Sequence, residues 1–234
     1  MVDREIRNQR AVSLAREGLQ GGWMLAVIIS RVIHIFLLVA GLFLGGVTGA
    51  NALVYAGSTA TQGFIVVQAL LARKMQKGVF LRCLAIYCLV EMIVTIACGG
   101  MIVMMLGGGL LLRVNPDIAP KAVLFKENTW TTLVSMAVLL ATLAALSLLT
   151  RRALLQADRM LAGDGTQEDH FFPAAVAAFI TVAVVLAQNF FSGRNYPLWY
   201  MVLYALVGVA CNGSLGMLFL RASRAWNKAC ADGD

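Results

Sequence analysis

Long apolar runs separated by short polar intervals dominate this chain. The runs are Trp23 to Gly46, a second ending near Ala72, Val79 to Leu106, Thr129 to Thr150, Pro173 to about Phe191, and Pro197 to Leu220. A helix needs about 20 mostly apolar residues to cross a hydrocarbon core of about 30 Å, and each run comes close to or exceeds that length. The pattern therefore predicts an all-α, polytopic integral membrane protein with six transmembrane helices. It also divides the chain into a segment over 1–22, a membrane domain over 23–220 and a tail over 221–234. In the first segment Ala11, Leu14, Ala15 and Leu19 fall on one side of a helix and arginines surround them, which predicts a short amphipathic N-terminal helix on the membrane surface.

The polar intervals set the threading. Arg4, Arg7, Arg10 and Arg16, then Arg73, Lys74, Lys77 and Arg82, then Arg151, Arg152 and Arg159, then Arg221, Arg224 and Lys228 fall on one side of a six-span arrangement. Only Arg113, Lys121, Lys126 and Arg194 fall on the other. Lys and Arg accumulate on the cytoplasmic side of membrane proteins, so both termini are expected there. Compact loops and this strong bias favour a bacterial inner membrane. The apolar run at the N-terminal end follows more than twenty polar residues and is too long for the h-region of a cleavable signal peptide.

Gly41 to Gln68 is the stretch in which polarity enters the membrane. Gly41, Gly45 and Gly49 recur every four residues, the spacing that lets helices touch, and predict a tight hairpin between the first two spans. After the turn, Asn51, Tyr55, Ser58 and Gln62 share one narrow helical face, with Ala52, Ala56, Ala60 and Gly63 as a small-residue stripe beside it. Polar groups in hydrocarbon need protein or water partners, so this face should point into a helical assembly.

Two charges lie inside the spans. Arg31 sits eight residues into the first and Glu91 about twelve into the third, on a stripe with Tyr87, Thr95 and Cys98. At 1.5 Å per residue their depths differ by roughly 6 Å, so Arg31 and Glu91 are a candidate intramembrane ion pair. The alternative starts the first span near Val32 and leaves Arg31 at the surface. His34, one turn on, is expected to neighbour Arg31. Gly107 to Asn128, with three glycines, Pro116 and Pro120, should be a loop that breaks the helix. Past Thr150 the fourth helix should continue through ALLQADRMLAGDG to the glycines, and Glu168, Asp169 and His170 then form an acidic loop with no further metal ligand in reach.

Composition agrees with the pattern. The chain is 60% hydrophobic and 13% charged, against about 25% charged in soluble domains, which removes a soluble enzyme or nucleic-acid module from consideration. The net charge of +7 is spent on topology, with no basic stripe interleaved with aromatics, so no nucleic-acid partner is expected. Cys83, Cys88, Cys98, Cys211 and Cys230 match neither a redox pair nor a zinc site. Asn212-Gly213-Ser214 forms a glycosylation sequon but lies within a span. Gly213 to Gly216 resembles faintly the serine motif of intramembrane rhomboid proteases, but no histidine follows to act as base. No catalytic, cofactor or metal motif is present, and the chain reads as non-catalytic. Two function classes follow. One is an inner-membrane subunit of a larger complex of secretion, conjugation or respiratory type, packing through small-residue faces against other subunits or further copies. The other is a small channel or transporter using the Asn51 to Gln62 face and Glu91.

Overall fold

The computed structural model describes residues 22–44, 59–60, 62–70, 78–114, 127–161, 168–191 and 197–231. Among the described residues there are six helices: α1 (Gly22–Leu44), α2 (residues 62–70), α3 (Gly78–Val114), α4 (Glu127–Leu161), α5 (Phe171–Phe191) and α6 (Leu198–Ala231). Four of them, α1, α3, α4 and α6, contain stretches long and apolar enough to cross a membrane. The chain is thus an all-helical protein of membrane-spanning character. The 1–22 segment, apart from Gly22, and with it the expected amphipathic helix, lies outside the described residues.

Successive helices run antiparallel. Leu81, Ala85 and Cys88 at the start of α3 pack with Ala153, Leu154, Ala157 and Met160 near the end of α4, with Phe171, Ala174 and Ala175 at the start of α5, and with Phe219, Ala222 and Trp226 late in α6. Met24, Val27 and Ile28 early in α1 meet Ala69 of α2 and Leu218 of α6. Leu37, further along α1, meets Tyr200, Val207 and Cys211. One end of the bundle therefore collects the starts of α1, α3 and α5 and the ends of α2, α4 and α6. Arg82, Arg152, Arg159, Arg221, Arg224 and Lys228 lie exposed at that end.

This basic end is tied together by polar side chains. Arg82 Nε meets Asp158 Oδ2 at 2.6 Å, joining α3 to α4. Gln156, 1% exposed, donates to the Glu168 carbonyl and accepts from the His170 N–H, both at 2.8 Å. Asp169 Oδ1 accepts from the N–H groups of Phe171 and Phe172, the bonds of an N-cap, and its Oδ2 accepts from the Ser223 hydroxyl at 2.5 Å and from the Asn227 amide. The acidic loop is thus a latch between α4, α5 and α6.

Two expected boundaries move. α3 does not stop at Leu106 but continues through Gly107–Gly109 to Val114. A helix already formed is extended one hydrogen bond per residue, so three glycines lower its stability without ending it. α5 begins at Phe171, two residues before Pro173, because Asp169 caps it and proline is tolerated in a first turn. The continuation of α4 beyond Arg152 is observed as expected, to Leu161.

Among the described residues, close helix contact falls on two glycines of α6. A Cβ at Gly216 would stand 3.0 Å from the Phe179 ring, and one at Gly208 would stand 3.1 Å from Val185, so α5 and α6 meet through two notches about two turns apart on α6. Gly41 is buried in α1, while Gly45 and Gly49 lie outside the described residues.

Candidate intramembrane polar site

Buried polar side chains in a bilayer core use backbone carbonyls of their own helix first. Ser30 donates to Val27, Thr95 to Glu91, Thr142 to Val138, Thr181 to Ala177, Asn212 to Gly208 and Ser214 to Cys211. Asn212 is buried within α6, which removes the sequon as a modification site. Side chains with longer reach instead bridge helices in pairs, α1 to α2, α3 to α4 and α1 to α6.

Arg31 lies inside α1, nine residues past its first residue, or about 13 Å along the axis. Arg31 Nη1 donates to Gln62 Oε1 at 2.8 Å, linking α1 to α2. Glu91 takes a different partner, accepting from the Ser147 hydroxyl of α4 at 3.1 Å. Among the described residues, no direct ion pair joins Arg31 and Glu91, although the two lie within electrostatic reach of one another. Each charge is held by a neutral dipole instead. The physical reason is local: α2 places an amide carbonyl beside Arg31, and the α3–α4 pair places a hydroxyl beside Glu91.

His34 packs edge-on against Tyr204 of α6, with ring centroids 5.2 Å apart. Tyr200 and Tyr204 stack at 6.0 Å, and the Tyr200 hydroxyl donates to the Leu37 carbonyl at 2.9 Å. Tyr200 is only 4% exposed, so the aromatic residues at this end of α6 are divided. Trp199 faces outward as an interfacial residue would, and Tyr200 belongs to the α1–α6 interface. Tyr87 stacks against Phe64, bringing α2 to α3.

Hydrogen-bonding capacity is left unused at several buried atoms. Arg31 Nε, both imidazole nitrogens of His34, Gln68 Oε1 and Thr150 Oγ1 are buried without a partner. Buried polar atoms are usually paired, so these five are exceptions to the rule that the rest of the interior follows. Of the expected polar face, Gln62 is buried and bonded as described, while Asn51, Tyr55 and Ser58 lie outside the described residues. Ala60 is exposed, and a Cβ at Gly63 would meet nothing within 4 Å among the described residues.

No three His, Cys, Asp or Glu side chains come together to hold a metal ion among the described residues. Sequence reasoning missed the Ser147 contact and the Asp169 latch. Ser147 offered little signal, as a lone hydroxyl in an apolar run. Asp169 could have been found from its position two and three residues before Phe171 and Phe172, where an N-cap is expected. No family model, no curated protein and no solved structure matches this chain.

Proposed function

We propose that the chain is a six-span protein of a bacterial inner membrane, with both termini cytoplasmic, and serves as a non-catalytic subunit of a larger membrane assembly of secretion, conjugation or respiratory type. The observation that carries this reading is the outer half of α3. Cβ atoms added at Gly100, Gly107 and Gly108 would meet nothing, and Met101, Val103 and Met104 beside them stand exposed. Only 6% of the apolar stretch of α3 is buried within the chain, against 44% for α6. Glycine weakens a helix that faces lipid but lets a second helix approach closely, so these open notches fit a partner helix from another subunit or another copy. Native mass spectrometry of the detergent-extracted complex tests this. Gly107→Leu should shift the chain from a higher-mass assembly to a lighter species while its own unfolding temperature is retained. An unchanged assembly would remove α3 as the contact.

A second reading, a small channel or transporter, is favoured by the unspent polar atoms around Arg31, His34 and Gln62. In that case Glu91 and the Gln62 face line the route. Proteoliposome flux abolished by Glu91→Gln in a folded protein would establish transport in place of a purely structural role.

A further inference from the structure

A groove of about 620 Å³ lies between α4 and α5, lined by Ala141, Thr142, Ala145, Leu149, Pro173 and Ile180 among others. Its volume is within the range of about 300–1,000 Å³ common for ligand pockets. The α4 wall extends from Ala141 to Leu149, about 12 Å along the helix axis. Small residues form its floor and nearly every lining atom is apolar, so its occupant is an alkyl chain or an apolar side-chain row.

What distinguishes these occupants is the charge at one end. Arg152 is three residues beyond Leu149, seven beyond Ala145 and eleven beyond Ala141, so it continues the same helical face as the α4 wall. Arg159 follows seven residues later on that face. Both are exposed, and neither makes an ion pair among the described residues. Arg152 thus stands one turn beyond Leu149, at the basic end of the groove wall. The Glu168 carboxylate lies 3.4 Å from His170 and is 81% exposed. An apolar slot running along the bilayer and ending one turn short of an arginine at the basic end of the bundle has the polarity of a phospholipid: alkyl chain inward, anionic phosphate outward.

We propose that this groove is a binding site for one anionic phospholipid, with an acyl chain against Ala141, Ala145 and Ile180 and the headgroup phosphate on Arg152, with Arg159 adding to the local field. The arginine and the phosphate pair through charge-assisted hydrogen bonds, so a headgroup with net negative charge is preferred to a zwitterionic one. The site rests on the basic end lying at the membrane surface.

Native mass spectrometry of the full chain, with added phosphatidylglycerol or phosphatidylcholine of matched chain length, tests the assignment. The expected result is one tightly retained phosphatidylglycerol, at least fivefold more abundant than phosphatidylcholine. Arg152→Ala should erase the preference, and Ala145→Phe should reduce retention of both lipids. Should Ala145→Phe fail to fold, Ala141→Leu takes its place, narrowing the slot with a smaller change. Equal retention of the two lipids by the unaltered chain, or a preference indifferent to Arg152→Ala, would overturn the proposal. So would a groove that stays empty of lipid because another protein chain remains seated on it. A chain that needs detergent to stay soluble yet shows no lipid preference would lose this site alone, leaving its membrane placement intact.

Discussion

At the residue scale, the interior is governed by how each buried charge finds a dipole. A guanidinium at the centre of a membrane helix costs about 2.5–3.5 kcal/mol on insertion scales, so Arg31 depends on Gln62 more than an exposed arginine depends on any neighbour. Glu91 depends on Ser147, and an amide in its place can still accept that hydroxyl proton. The two substitutions should therefore differ. Gln62→Leu strands the guanidinium and should destabilise the fold by about 1.5–3 kcal/mol, the worth of a hydrogen bond to a charged group, whereas Glu91→Gln should cost less. Thermal unfolding in detergent, followed by circular dichroism, measures both. A double-mutant cycle between Arg31→Met and Glu91→Met should give a coupling well below that of Arg31→Met with Gln62→Leu. A larger Arg31–Glu91 coupling would restore the direct ion pair in the membrane-embedded protein.

At the element scale, α5 and α6 approach one another closely at two glycines, Gly208 and Gly216. Gly208 and Gly216 are eight residues apart, two turns, with Asn212 between them, so the spacing of small residues is continuous only if the asparagine is counted as small. Gly216→Leu drives a side chain into the Phe179 ring and should cost about 1–3 kcal/mol by overpacking. Gly100→Ala, in open space on α3, should be neutral or stabilising by about 0.5–1 kcal/mol in the dispersed single chain. Unfolding temperatures of the two variants check the contrast, and equal losses would mean that the notch at Gly216 is not a contact. The apolar runs were legible because hydropathy at this length has few alternative meanings. The ends of the helices were not. Gly107–Gly109 resemble a stop, yet a helix already formed extends through them, and Asp169 resembled a solvated acid until its two oxygens were seen capping α5 and holding Ser223.

At the scale of the whole molecule, charge and packing agree without having been built from one another. The Lys and Arg residues that charge bias assigns to one side lie, where described, at the single end where the starts of α1, α3 and α5 meet the ends of α2, α4 and α6. That arrangement was readable from the intervals between runs. The partners of Arg31 and Glu91 were not, because depth along a helix fixes one coordinate and the rotation of five helices fixes the rest. The proposed orientation puts this basic end in the cytoplasm and the Pro197 end outside. Its most direct test uses a variant lacking all five native cysteines, with Pro197→Cys or Lys228→Cys introduced singly, and a membrane-impermeant maleimide added to intact cells. The account predicts labelling at position 197 without permeabilisation and at position 228 only after it. Labelling at 228 in intact cells, with protection at 197, would contradict it.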